Sequence, residues 1–120
     1  MRILFVGDVF GTTGRRILAE RLRDLQERLA IDFTIANGEN AAGGIGITLN
    51  ILKKMRKYGV QAVTGGNHSF AFPEADASML ELPELLRPHN VPPGNPGTGA
   101  RIYALEDGRT VAVVNLMGRT

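Results

Sequence analysis

Apolar residues in this chain fall into short dense runs and helically spaced stripes, separated by glycine-rich or charged stretches. Ile3, Leu4, Phe5 and Val6 are consecutive, between Arg2 and Gly7-Asp8. A run of this length predicts a buried strand over residues 2–6. Over 15–29 the period changes: Ile17, Leu18, Leu22, Leu25 and Leu29 share one helical face, with charges between them. Thr12 or Thr13 is positioned to cap that helix. Residues 32–36 read as a second buried strand, closed by Asn37-Gly38. After a glycine-rich loop over 41–46, Thr48 is placed to cap a second helix carrying Leu49, Leu52, Met55 and Tyr58, with Gly59 as its stop. Residues 61–64 read as a third strand, closed by Gly65-Gly66.

This order, β-α-β-α-β with short connections, predicts an α/β fold with a parallel sheet. Helical spacing returns over 73–86, interrupted by Pro83. Pro88, Pro92, Pro93 and Pro96 make 87–99 an irregular loop. Residues 101–105 and 110–115 flank Asp107-Gly108, a hairpin signal. The expected whole is one α/β domain over 1–120: a parallel sheet, then a helix, then a C-terminal strand hairpin.

In an open parallel sheet, ligands bind beyond the carboxyl ends of the strands. All three predicted parallel strands end in polar residues beside glycine: Gly7-Asp8, Gly38-Glu39-Asn40 and Gly66-Asn67-His68. Each residue has an ordinary reading on its own. Asp8 can brace a turn, Asn40 and Asn67 suit turns, and His68 can be a hydrogen-bonded histidine. Their joint placement at one rim is harder to assign to turns. Asp8, Glu39, Asn40, Asn67 and His68 form a hard-oxygen and imidazole donor set, suited to Fe, Mn, Zn or Mg. Glu39 is placed to bridge two cations, and His68 to protonate a leaving oxygen. His89, in the proline-rich loop, is assigned a structural or exposed role. Gly11-Thr12-Thr13-Gly14 before a helix is a weak phosphate-cradle signal.

Composition narrows the field. Hydrophobic residues make up 43% and charged residues 22%, which is ordinary for a globular domain. Cysteine is absent, so thiolate metal sites and thiol catalysis are excluded. No apolar stretch approaches the roughly 18 residues that a membrane helix needs, and the N-terminal run leads into Arg15-Arg16 rather than a cleavage site. A cytoplasmic location is expected. Fourteen Lys and Arg against twelve Asp and Glu leave a net charge of +2, too little to argue for nucleic acid by itself. The basic residues do cluster, at Arg15, Arg16, Arg21, Arg23 and Arg28 and at Lys53, Lys54, Arg56 and Lys57. Solvated helix faces explain these clusters, and steering of an anionic substrate is the sharper alternative.

At the strand-end residues the chain resembles the calcineurin-like metallophosphoesterases, and most closely their YmdB-like phosphodiesterase branch. The resemblance rests on Gly-Asp-Val-Phe-Gly at 7–11, Ala-Asn-Gly-Glu-Asn-Ala-Ala-Gly-Gly at 36–44, Gly-Asn-His at 66–68, Arg-Pro-His-Asn at 87–90 and Val-Asn-Leu-Met-Gly-Arg at 114–119. It implies half of a metallophosphoesterase-like α/β sandwich. It also implies two metal ions, iron first among them, with Asp8, Glu39, Asn40 and Asn67 as ligands, Glu39 bridging, and His68 as proton donor. The implied partner is a small phosphodiester, a cyclic nucleotide in that branch, and symmetric assemblies of the chain are expected. The wider superfamily opens with Asp-x-His, where this chain has Phe10, a loss the YmdB-like branch shares. That branch usually follows Gly-Asn-His with Trp and His, where this chain has Phe70 and Phe72.

The resemblance also implies a second half carrying a further His and a His-x-His pair. Two octahedral ions need roughly ten ligand positions, so these 120 residues are expected to be the N-terminal part of a longer domain, binding metal weakly alone. Two rival readings remain. Asp8-Val9-Phe10-Gly11-Thr12 loosely echoes the haloacid-dehalogenase-like phosphatases, with Asp8 as nucleophile. A non-catalytic, metal-free module would instead use its basic helices to contact RNA or a partner chain.

Overall fold

The computed structural model describes residues 1–71 and 82–118. The elements are β1 (Ile3–Val6), α1 (Gly11–Leu29), β2 (Phe33–Asn37), α2 (Leu49–Tyr58), β3 (Ala62–Thr64), a 3-10 turn (Asn67–Phe70), β4 (Leu85–Leu86), β5 (Ala100–Ala104) and β6 (Thr110–Val114). Strands β1-β2-β3-β4 form one sheet in sequence order, parallel throughout, and β5-β6 form an antiparallel hairpin. Ile3 lies opposite Phe33, Val6 opposite Ala36, and Asn37 opposite Thr64, so the first three strands end level with one another.

The two-residue period of a strand divides the core. Ala36, Val63 and Leu85 face the helices and meet Leu18, Leu22, Leu52 and Met55. Phe33, Ala62 and Leu86 face the other way and meet Val111 and Val113 of the hairpin. The result is three layers, with the sheet between helices and hairpin. Thr34 is buried among apolar neighbours, and its polar atoms are matched: Gln26 Nε2 donates to its hydroxyl at 2.8 Å and its N–H donates to Gln61 Oε1 at 2.8 Å.

Helix boundaries follow their caps. Thr48 accepts from the Ile51 N–H at 3.3 Å, and α2 stops at Gly59, whose φ of 112° suits glycine. Helix α1 begins earlier than its stripe predicts. Its N-cap is Phe10, without a side-chain bond, so neither Thr12 nor Thr13 caps it. The first N–H groups go to backbone instead: Gly11 donates to Asn40 O and Gly14 to Phe10 O, both at 3.0 Å. That use weakens the phosphate-cradle reading of 11–14.

The helix expected over 73–86 falls mostly on 72–81, outside the described residues. Its end is corrected: Leu85–Leu86 is a fourth parallel strand. Pro83 and the free edge of β3 explain this, since each leucine fills one of the two core layers on either side of the sheet.

At the amino ends of the strands, Arg109 joins hairpin to sheet. Its Nη2 lies 2.5 Å from Asp32 Oδ1 and 2.5 Å from Asp107 Oδ2. The hydrogen bonds from Arg109 hold both carboxyls below their ordinary value, as does the Arg2 N–H at Asp32. Tyr103 packs on Phe33 and donates to Pro83 O at 2.7 Å, and burial pushes its hydroxyl up to about 12. Several basic side chains are engaged locally: Arg23 with Lys57 O, Arg28 with Asp24, and Arg56 with Glu84. Among the described residues no helix is long and apolar enough to cross a membrane. Two apolar surfaces stay uncovered: Ile3 and Phe5 on β1, and Ile102 and Val114 on the outer side of the hairpin.

Candidate functional site

The level strand ends place the three polar segments side by side, and backbone bonds hold them. Val9 N–H donates to Asn37 O at 3.0 Å and Gly38 N–H to Thr64 O at 2.9 Å. Asn40 O accepts from both Gly11 and Gly44, at 3.0 and 3.1 Å, which fixes the start of α1 and the glycine-rich loop to one carbonyl. Arg15 reaches the same loop through Ala41 O.

Asp8, Asn40 and His68 meet as a chain. Asn40 Nδ2 donates to Asp8 Oδ1 at 2.9 Å, and His68 Nδ1 lies 2.7 Å from Asn40 Oδ1. The order of these contacts fixes the tautomer. A carboxylate only accepts, so the amide must turn its NH₂ to Asp8 and its oxygen to His68. That oxygen also only accepts, so His68 Nδ1 carries a hydrogen. In the neutral ring Nε2 then holds the lone pair, and in the imidazolium it holds the proton that can be given away.

Glu39 sits against the end of β3. Its N–H donates to Asn37 Oδ1 at 3.2 Å, and Asn37 Nδ2 lies 3.5 Å from Oε1. Oε2 is buried and has no hydrogen-bond partner among the described residues. A buried carboxylate oxygen without a donor is costly unless a positive charge meets it. The carboxylate packs directly on Gly66. A Cβ there would overlap Oε2 and Cδ and lie 2.7 Å from Oε1. Asn67 is exposed at the start of the 3-10 turn, next to His68.

The structure thus brings Asp8, Asn40 and His68 into direct contact, with Glu39 and Asn67 adjacent in the chain to Asn40 and His68. Among the described residues no three His, Cys, Asp or Glu side chains converge as a metal cluster. His89 is exposed and its backbone donates to Asn115 O at 2.7 Å. Sequence reasoning missed Asn37, the partner of Glu39, and Gly66, whose lack of a side chain makes room for that carboxylate. The glycine beside each strand end was the available signal for Gly66. A cavity of about 760 Å³ lies away from this rim, at the amino ends of the strands, lined by Asp32, Arg56, Glu84, Tyr103 and Arg109. There Arg56 pairs with Glu84, and Arg109 with Asp32 and Asp107.

Residues 4–120 match the family model described as YmdB-like protein. The chain belongs to this family. It is 43% identical over 120 residues to the 2′,3′-cyclic-nucleotide 2′-phosphodiesterase of Bacillus subtilis (strain 168), covering all of this chain and 45% of that relative. Among solved structures, a hypothetical protein from Thermus thermophilus superposes with a TM-score of 0.89 at 39% identity, over 99% of this chain and 46% of the other. A novel phosphatase from Mycoplasma pneumoniae superposes with a TM-score of 0.87 at 30% identity, over 97% and 42%. The chain therefore spans less than half the length of these relatives, and its α/β fold matches part of each. Family membership places it among relatives of phosphodiesterases and phosphatases.

Proposed function

We propose that this rim is one side of a metal-dependent phosphodiesterase site, and that its substrate is a small phosphodiester such as a 2′,3′-cyclic nucleotide. The observation that carries the reading is the buried, partnerless Glu39 Oε2 beside the hydrogen-bonded Asp8-Asn40-His68 chain. An oxygen and imidazole donor set with an uncompensated carboxylate oxygen fits hard or borderline cations such as Fe, Mn, Zn or Mg, and the family resemblance puts iron first. Asp8 and Asn40 would hold one ion, Asn67 another, and Glu39 both. Asn40 Oδ1 keeps a second lone pair while it accepts from His68. Bound there, such ions would supply a nucleophilic water at neutral pH and stabilise charge on the attacking and leaving oxygens.

The chain's own residues then have defined tasks. Asp8 orients the Asn40 amide, and Asn40 orients the imidazole. As the ester P–O bond breaks, imidazolium His68 gives its Nε2 proton to the leaving oxygen. Five side chains are too few to complete two metal shells, so we infer that residues of a longer chain finish the site.

Hydrolysis of a 2′,3′-cyclic nucleotide by the longest form of the protein tests the reading. Glu39→Ala should remove metal and activity together. His68→Ala should keep metal and lower kcat by about 10²–10⁴-fold. Retained hydrolysis in Glu39→Ala, or trapping of a phosphorylated Asp8, would overturn it.

A further inference from the structure

Two sequence motifs have no task in the site as described: Arg87-Pro88-His89-Asn90 and Asn115-Leu116-Met117-Gly118. The structure interlocks them. His89 N–H donates to Asn115 O at 2.7 Å, Asn90 Nδ2 donates to Met117 O at 2.7 Å, and the Met117 N–H donates back to Asn90 Oδ1 at 2.9 Å. Asn115 N–H donates to Gly99 O at 2.9 Å. The tail after β6 is therefore held in place by the loop after β4.

This latch presents one side chain to the site. Val111 and Val113 point into the core, and the strand period puts Asn115 next in that row. A polar amide there needs partners. Its NH₂ has two hydrogens, and it donates to two carbonyls, Gly65 O at 3.0 Å and Leu86 O at 2.9 Å. Both carbonyls sit at the carboxyl rim, at the ends of β3 and β4. Beyond Leu86 the chain turns toward Thr98, so the β3–β4 ladder stops there. Asn115 supplies the donor that Gly65 O meets at that point.

The Gly65 carbonyl belongs to the peptide unit that leads into Gly66. Gly66 sets the position of the Glu39 carboxylate by direct contact, and Asn67 and His68 follow in the same turn. Ser69 folds back over Gly65, where a Cβ would overlap its hydroxyl. A shift of the 65–66 peptide therefore moves three of the five candidate residues at once.

We propose that Asn115 is a positioning residue. By clamping the Gly65 and Leu86 carbonyls, it couples the hairpin to the loop that places Glu39, Asn67 and His68. This inference rests on the proposed function for its catalytic meaning, but its structural core can be tested separately.

The test uses Asn115→Leu, which keeps the bulk and loses both donors, in the full chain. Amide hydrogen exchange followed by NMR should speed up at least about 10-fold at Gly65 and Ser69, whose N–H groups donate to Leu86 O and Gly66 O. Leu4, Phe5 and Val6 in β1 should keep their rates. Mn²⁺ affinity, or kcat in an active form, should fall about 10- to 100-fold, with KM within about twofold, as for outer partners of metal ligands. Asn90→Ala, which breaks only the outer latch, should leave exchange at Gly65 and Ser69 near the wild-type rate. If Asn115→Leu fails to fold, Asn115→Ser is read in the same way. Unchanged exchange at Gly65 and Ser69 in a folded Asn115 variant overturns the proposal. Loss of the clamp in a protein that neither binds Mn²⁺ nor hydrolyses diesters would sustain the positioning role and remove the proposed function instead.

Discussion

Replacing Gly66 by alanine separates the geometry of the site from the stability of the fold. The added methyl group would overlap Cδ and Oε2 of Glu39 and lie 2.7 Å from Oε1, whereas ordinary contact begins at 3.4 Å. The three nearest atoms it meets all belong to the far end of one flexible side chain. Glu39 can therefore relieve the clash by rotating, with its carboxylate retreating about 1 Å or more, at a rotamer cost of about 0.5–1.5 kcal/mol. The φ of −155° at position 66 lies outside the left-handed region that demands glycine. Loss of glycine's freedom in the unfolded chain returns about 0.4–1 kcal/mol. The net change in stability should be within about 1 kcal/mol, a Tm shift of a few degrees at this size. The site should fare differently, because a 1 Å misplacement of a reacting or ligating group costs about 10²-fold. The assay pairs thermal unfolding with Mn²⁺ titration and hydrolysis of a cyclic nucleotide. A near-native Tm with binding or turnover down about 100-fold is expected. Native binding and turnover in Gly66→Ala would refute the reasoning, because the carboxylate would then not need the position it occupies.

Four further outcomes follow from the same contacts. Asn40→Leu removes the amide that donates to Asp8 Oδ1 at 2.9 Å and accepts from His68 Nδ1 at 2.7 Å; NMR of the imidazole should show the loss of a fixed Nδ1–H tautomer. The carboxyls of Asp32 and Asp107 are held low when folded, so their contribution is present above the unfolded value near 3.8 and is lost as pH falls below it; denaturant unfolding should show an acid limb that Arg109→Ala flattens. Tyr103 is raised to about 12, so its contribution is complete below pH 10 and is lost as pH climbs toward 12; Tyr103→Phe should remove that alkaline loss. Leu52 is 2% exposed between α2 and the sheet, and Leu52→Ala should cost about 2–5 kcal/mol in chemical denaturation.

Much of this architecture is legible in the residues. The runs at Ile3–Val6 and Phe33–Asn37 and the stripe through Leu18 and Leu22 each satisfy one period for long enough to be read. The site is legible for a topological reason: parallel strands that end level must bring Asp8, Glu39 and His68 to one rim. Strand β4 was not legible, because two leucines after Pro83 offer no window in which a period can be counted. The start of α1 was obscured by Gly11 and Gly14, which read as a weak phosphate cradle ahead of the helix although their N–H groups are paired with backbone oxygens. Contacts between distant polar side chains leave still less trace. Asn115 reads as the end of a strand, and only the fold shows its amide against Gly65 and Leu86. The basic clusters were visible, but not the distant partners taken by Arg23 and Arg56, whereas the i,i+4 pair of Arg28 with Asp24 is encoded locally.

The central claim is that a cation binds at the rim formed by Asp8, Glu39, Asn40, Asn67 and His68. Titration of the ¹⁵N-labelled chain with substoichiometric Mn²⁺ tests it directly, because a bound paramagnetic ion broadens only nearby amides. The account predicts broadening at Gly7-Asp8, Gly38-Glu39-Asn40 and Gly66-Asn67-His68, abolished by Glu39→Ala, with Asp32, Asp107 and Arg109 at the far end of the sheet left sharp. Broadening centred on that far end, or broadening at the rim that survives Glu39→Ala, would contradict it.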